Sequence, residues 1–130
     1  MLKWRLFIMK FLWTTIYVRN MNESIAFYSN LLGLQPLRRF PAGPGVEITF
    51  MGNGTENETF VEFLQDDHMQ DIGFGEAISI GFAISSIDDM LKTVKELGLS
   101  VHSGPVQTPT SSFFTVKDPN GLNVQLFEQK

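Results

Sequence analysis

The sequence contains no cysteine. This absence excludes disulfide bonds, a thiolate nucleophile and zinc sites built on cysteine. A chain of 130 residues can bury enough apolar surface to fold as one domain without such cross-links. Chains without thiols occur in reducing and in oxidising compartments, and we expect this protein to be cytoplasmic.

A strong excess of positive charge is also missing. Ten Lys and Arg residues face fourteen Asp and Glu residues, which gives a net charge of -4. The basic residues are scattered and form no stripe that could follow a phosphate backbone. We therefore expect no nucleic-acid partner.

The chain has no apolar run of the roughly 20 residues that a membrane-spanning helix requires. Its first ten residues are basic and apolar, but Lys10 interrupts them and no small-residue cleavage site follows. We expect no membrane association. Residues 1–8 are interpreted as an N-terminal extension before a natural start near Met9, and residues 9–130 as a single domain.

Histidine is scarce, with two residues in the chain. His68 lies in a polar segment where a solvated side chain is the default, and the direction of His102 in its predicted strand is open. The sequence has no Ser-His-Asp order, nucleophile elbow, glycine-rich phosphate loop or HExxH motif. Hydrolase, kinase and dinucleotide-binding functions are therefore not indicated.

The chain does contain an internal duplication. Residues 13–34 and 79–99 each show an alternating strand, a capped amphipathic helix and a Gly-Leu pair that opens another strand. Similar strands at 60–64 and 123–127 close the two copies. We predict module 1 over about 9–66, a linker over about 66–75 and module 2 over about 76–130. A duplicated module is expected to enclose a central cleft, where small ligands bind.

Each module is predicted to hold one helix and four strands. Capping signals mark the helix ends, and they are Asn20, Glu23 and Gly33 in module 1 and Ser86, Asp89 and Gly98 in module 2. Strands after the helices are predicted at 35–40, 46–51 and 59–65, and at 99–105, 111–117 and 122–128. Two βαβββ modules predict an α+β fold with a curved mixed eight-stranded sheet and helices outside. The alternative, a doubly wound parallel sheet, needs helices between most strands.

Alternation along the strands predicts which side chains face the cleft. The strand that opens module 2 places Ile80 and Phe82 on one face and Ser79, Gly81 and Ala83 on the other, where small side chains leave room for a ligand. The same count places further residues on the inner face, namely Trp13, Tyr17, Glu62, Asn123, Gln125 and Phe127.

Several inner residues have more than one interpretation. Glu62 lies in an apolar run, where an unpartnered carboxylate would cost several kcal/mol. It is a metal ligand, a general base or an anchor for a cation, or else a solvated side chain at a sheet edge. Gln125 is a neutral ligand or a solvated amide. Trp13 and Tyr17 stack on a planar ligand, fill the core or contact a second chain.

Two segments of the sequence carry a family resemblance. Residues 13–34, with the pattern Ser-Ile-x-Phe-Tyr-x-x-x-Leu-Gly, and residues 117–128, with the turn Asp-Pro-Asn-Gly, resemble the vicinal oxygen chelate superfamily. That superfamily includes glyoxalase I, ring-cleaving dioxygenases and bleomycin-resistance proteins. The resemblance covers nearly all of the chain from Phe11 onward and implies the same α+β fold.

The resemblance also implies where a metal site would be. Glyoxalase-like members commonly place His, Glu, His and Glu at four positions, which fall here at Trp13, Glu62, Ser79 and Gln125. Only Glu62 keeps a usual ligand, so we expect no metal cofactor. The resemblance implies a homodimer as well, and the apolar residues Trp4, Phe7 and Phe11 are consistent with it.

Two functional hypotheses follow. The first is a metal-independent binding protein of the bleomycin-resistance type. It would hold an aromatic or cationic small molecule in the inter-module cleft through Trp13, Tyr17, Glu62, Ser79 and Gln125. The second is a glyoxalase-like lyase or isomerase in which Glu62 is the catalytic base, with an atypical divalent metal held partly by Gln125 or with no metal.

Overall fold

The protein is described by a computed structural model that covers residues 9–55 and 58–130. The expected extension over 1–8 therefore lies outside the described residues. In chain order the elements are β1 (Thr14–Tyr17), α1 (Met21–Leu32), β2 (Gln35–Pro41), β3 (Val46–Gly52), β4 (Thr59–Asp66), β5 (Ser79–Ala83), α2 (Ile87–Glu96), β6 (Val101–Gln107), β7 (Ser111–Lys117) and β8 (Asn123–Gln129). The α+β class is confirmed, and each predicted strand end lies within two residues of the observed one.

The eight strands are divided between two sheets of four. The first sheet has the order β1-β4-β3-β2 and the second has the order β5-β8-β7-β6. In each sheet the opening strand runs parallel to the closing strand of its module, while the other neighbours are antiparallel. The duplication read from the sequence is therefore a duplication of topology.

The helices begin where the capping signals predicted. The side chain of Asn20 accepts a hydrogen bond from the backbone N–H of Glu23, and that of Ser86 accepts one from Asp89. Helix α1 ends at Gly33, whose φ of 70° is a left-handed conformation that favours glycine.

The closing strand of each module also contacts its helix. Gln65 Oε1 accepts from the N–H of Met21 at 2.7 Å. Glu128 Oε1 accepts from the N–H of Ile87 at 2.6 Å. Both bonds satisfy a backbone donor in the first turn, which has no partner inside the helix. The two modules thus attach helix to sheet in the same way.

The apolar core lies between the helices and the sheets. Its fully buried members include Ile16, Met51 and Phe63 from the first sheet and Val124 and Leu126 from the second. Because side chains alternate along a strand, the residues between these core positions point to the opposite side of each sheet. In the part of the chain that the structure describes, no helix is long and apolar enough to cross a membrane.

The Asp-Pro-Asn-Gly turn of module 2 docks on α1 of module 1. The buried Asp118 carboxylate accepts from the Tyr28 hydroxyl at 2.8 Å. Asn120 donates to Ser24 Oγ at 3.1 Å and accepts from the N–H of Arg19 at 3.0 Å. Burial, together with the charge of Asp118, raises the pKa of Tyr28, so the hydroxyl stays protonated and donates a hydrogen bond to the carboxylate.

Candidate functional site

The side of the first sheet opposite α1 carries the residues singled out in module 1. We call it the first open face, and it includes Trp13, Thr15, Tyr17, Phe40, Phe50 and Glu62. Its position follows from alternation, because Ile16, Met51 and Phe63 on the same strands are buried against the helix.

Aromatic rings form a continuous surface on the first open face. The ring centroids of Trp13 and Phe50 are 5.0 Å apart, and those of Phe40 and Phe50 are 5.8 Å apart. The guanidinium carbon of Arg38 lies 4.6 Å from the centroid of Phe40. All three rings are half-buried, so part of each remains accessible to a ligand.

Glu62 lies within this aromatic surface. Thr15 Oγ1 donates to Glu62 Oε1 at 2.6 Å, and Phe50 is the cross-strand neighbour of Glu62 on β3. Strand β4 is flanked by β1 and β3, so the alternative that places Glu62 at a sheet edge is wrong. Glu62 is half-buried as a residue, and the Thr15 hydroxyl orients its carboxylate.

The side of the second sheet opposite the core forms the second open face. Ser79 pairs with Asn123, and Gly81 pairs with Gln125. A side chain at Gly81 would approach Gln125 Oε1 to 3.5 Å. The residues with small side chains on β5 are exposed while Ile80 and Phe82 pack against the core, as the alternation predicted.

The structure divides the five predicted ligand-binding residues between the two sheets. Trp13, Tyr17 and Glu62 share the first open face, whereas Ser79 and Gln125 share the second. A cavity of about 570 Å³ does lie between the modules, and it is lined by Thr14, Phe60 and Val61 of the first sheet and by residues 80–83 of β5, which include the small residues Gly81 and Ala83. None of the five predicted residues is among the described residues that line this cavity.

A polar row crosses one end of the second open face. The carboxylate of Glu76 accepts from Lys117 Nζ, lies 2.8 Å from His102 Nε2 and lies 3.4 Å from Asn123 Nδ2. The hydrogen bond from Lys117, followed by that from His102, lowers the pKa of Glu76 to about 2. This carboxylate is therefore ionised at neutral pH. His68, in contrast, is exposed, and its Nδ1 lies 3.2 Å from Asp66 Oδ1.

Sequence reasoning missed several of these residues. Strand alternation could have identified Phe50 and Lys117, since they are the cross-strand neighbours of Glu62 and Asn123. Glu76 precedes β5 in a stretch without helix or strand. No local periodicity could have placed it against His102.

The four positions that correspond to metal ligands do not fit a metal. Trp13 cannot coordinate, Ser79 and Gln125 are weak neutral donors, and Glu62 is bonded to Thr15. Within residues 9–55 and 58–130, no group of three or more His, Asp or Glu side chains could hold a metal ion.

Comparisons with known proteins agree on one family. The model of the Glyoxalase/Bleomycin resistance protein/Dioxygenase superfamily matches residues 10–126. A lactoylglutathione lyase of Neisseria meningitidis serogroup A is 29% identical over 128 residues, which cover 94% of this chain and 92% of the relative.

Solved structures share the fold. The trypanothione-dependent glyoxalase I of Leishmania major superposes with a TM-score of 0.78 at 22% identity, over 93% of this chain and 87% of that one. TnmS3, an antibiotic-binding protein from Streptomyces sp. CB03234, superposes with a TM-score of 0.73 at 18% identity, over 95% and 98% of the two chains. At these identities the likeness concerns the fold alone.

Proposed function

Since the chain belongs to the Glyoxalase/Bleomycin resistance protein/Dioxygenase superfamily, we propose that it is a metal-independent binding protein for a small molecule with an aromatic or cationic group. The observation that carries this proposal is the first open face. There, Glu62 lies beside the contacting rings of Trp13 and Phe50.

This arrangement suits a cation that bears an aromatic group. A planar group can stack on the half-buried rings, and its positive charge is attracted both by ring faces and by a nearby carboxylate. Thr15 holds Glu62 through Oε1 at 2.6 Å and leaves the second carboxylate oxygen for the ligand. The carboxylate is thus preoriented before the ligand arrives.

The test uses benzyltrimethylammonium as the probe and benzyl alcohol as its uncharged analogue. Glu62→Gln is expected to weaken binding of the cation by at least about tenfold and to leave binding of the alcohol unchanged, since only the charge is removed. Trp13→Ala is expected to weaken both, because the stacking surface is lost. Isothermal titration calorimetry measures the affinity of the wild type, Glu62→Gln and Trp13→Ala for both probes.

The matched control is Glu96→Gln, which removes the same charge from an exposed residue at the end of α2. It is expected to bind both probes as the wild type does. Equal affinity of wild type and Glu62→Gln for the cation would remove Glu62 from the site. Unchanged binding in Trp13→Ala would contradict the proposal as a whole.

We propose further that two copies of the chain form a homodimer in the cytoplasm. Among the described residues, β1 pairs only with β4, and β5 pairs only with β8, so each has an edge that could pair with another strand. Phe11, next to β1, is 77% exposed. Pairing of β1 with β5 of a second copy would unite a first open face with a second one.

Light scattering tests the dimer. The wild type is expected to show twice its chain mass of 14.7 kDa, and Phe11→Asp is expected to show a monomer because a charge is placed at the apolar edge. Met69→Asp is the control, since Met69 is an exposed apolar residue of the linker. A monomeric wild type, or a dimeric Phe11→Asp, would contradict this arrangement.

A second function is favoured by the curated relatives, which are named lactoylglutathione lyase at 27–29% identity and probable lactoylglutathione lyase at 30% identity. In that case Glu62 would act as general base, with an atypical metal or without one. Turnover of a hemithioacetal that disappears in Glu62→Ala would support the lyase. Stoichiometric nickel, zinc, manganese or iron that is lost in the same variant would also support the lyase. A protein that is inactive and binds none of these metals would instead support the binding function.

A further inference from the structure

The polar row on the second open face has the composition of an anion site. Its donors are Lys117 on β7, His102 on β6 and Asn123 on β8, and all three are directed at one carboxylate, that of Glu76. An ionised carboxylate offers only acceptors, so His102 Nε2 must carry the proton of its contact. Three donors from three strands thus converge on one point.

The donors are less exposed than the group they bind. The side chains of Lys117 and His102 are 30% and 36% exposed, and Asn123 is 7% exposed, whereas the side chain of Glu76 is 66% exposed. Glu76 belongs to the segment between β4 and β5, which contains no helix or strand. An exposed side chain in such a segment is less constrained by its surroundings than side chains on paired strands.

Glu76 does not satisfy all the hydrogen-bonding groups of the polar row. The buried Oδ1 of Asn123 has no hydrogen-bond partner among the described residues. An orphaned buried acceptor costs free energy until a donor reaches it. A ligand that brings a donor together with an anionic group would satisfy both.

The row borders the predicted ligand positions of module 2. Asn123 pairs with Lys117 on one side and with Ser79 on the other, and Gln125 follows two residues later on the same face. An anion bound there would place the rest of its molecule over Ser79 and Gln125.

We propose that Lys117, His102 and Asn123 bind a carboxylate or phosphate group of the ligand, and that Glu76 occupies this site as an internal competitor until the ligand displaces it. This proposal rests on the proposed binding function, which makes the adjoining face around Ser79 and Gln125 a ligand-binding surface. It deepens that function by giving the ligand an anionic end in addition to the group that contacts Trp13 and Glu62.

The experiment titrates inorganic phosphate and acetate into four proteins while amide NMR shifts are followed. Glu76→Ala is expected to bind one of the two anions at least about tenfold more tightly than the wild type, because the competitor is gone. Adding Lys117→Ala to Glu76→Ala is expected to abolish that gain. Glu96→Ala, which removes the same charge elsewhere, is expected to behave as the wild type.

This experiment is independent of the test of the first open face. A preference for acetate or for phosphate supports the site and assigns its group to a carboxylate or a phosphate. Equal binding by Glu76→Ala and Glu96→Ala would overturn the proposal, as would a gain that survives loss of Lys117. Because neither probe requires Trp13 or Glu62, failure of this site is distinguishable from failure of the proposed function.

Discussion

Asp118→Ala is expected to lower the free energy of unfolding by roughly 3–5 kcal/mol, because it leaves several buried hydrogen-bond donors without an acceptor. Asp118 Oδ1 accepts from the N–H groups of Asn120 at 2.8 Å and Leu122 at 2.9 Å, while Oδ2 accepts from Tyr28. Alanine provides no acceptor for any of them. Urea unfolding followed by circular dichroism measures the loss.

Two further variants test the mechanism behind this loss. Tyr28→Phe removes one of the three donors and is expected to cost about 1–2 kcal/mol. Asp71→Ala, in the exposed linker, is expected to change stability by less than about 0.5 kcal/mol. A similar stability of Asp118→Ala and Asp71→Ala would show that the turn does not hold the modules together.

Gly52→Ala is expected to destabilise the protein by about 3 kcal/mol, through a steric clash that the backbone cannot easily relieve. A Cβ atom at Gly52 would lie 1.9 Å from the carbonyl oxygen of Glu58. The register shift between β3 and β4 falls at this residue, so close approach of the two backbones requires glycine here. Thermal unfolding of the variant measures the effect.

Gly73→Ala is the matched control for this clash. A Cβ atom at Gly73 would meet nothing within 4 Å. Gly73 is not among the glycines with a positive φ, so its backbone accepts alanine without strain. The control is expected to stay within about 0.5 kcal/mol of the wild type. If both variants were equally stable, the close contact at Gly52 would not constrain the end of β3.

The geometry of the two open faces decides what a ligand must look like. The first face offers rings and a carboxylate, and the second offers a row with Lys117 and His102. A molecule that spans both would carry an aromatic or cationic part and an anionic part. In the proposed dimer, pairing of the β1 and β5 edges from two copies would bring both faces within reach of such a molecule.

The site was predictable in part. Alternation correctly separated the helix side from the open side on β1, β4, β5 and β8, and it identified Trp13 and Glu62 as residues of one face. It could not show that Thr15 orients Glu62, because that bond joins residues 47 positions apart. Nor could it show that the five candidates divide between two sheets.

The sequence by itself determined the elements, the duplication and the family. Helix caps, turns and strand faces depend on neighbours within a few residues, so their signals are local. Residues 13–34 and 117–128 carried the resemblance that the family model confirms. The tertiary structure alone decided how the two modules contact each other, why Asp118 is buried and where the Glu76 carboxylate binds. Those contacts join residues 26 to 101 positions apart, and their geometry depends on how the sheets pack rather than on any repeat along the chain.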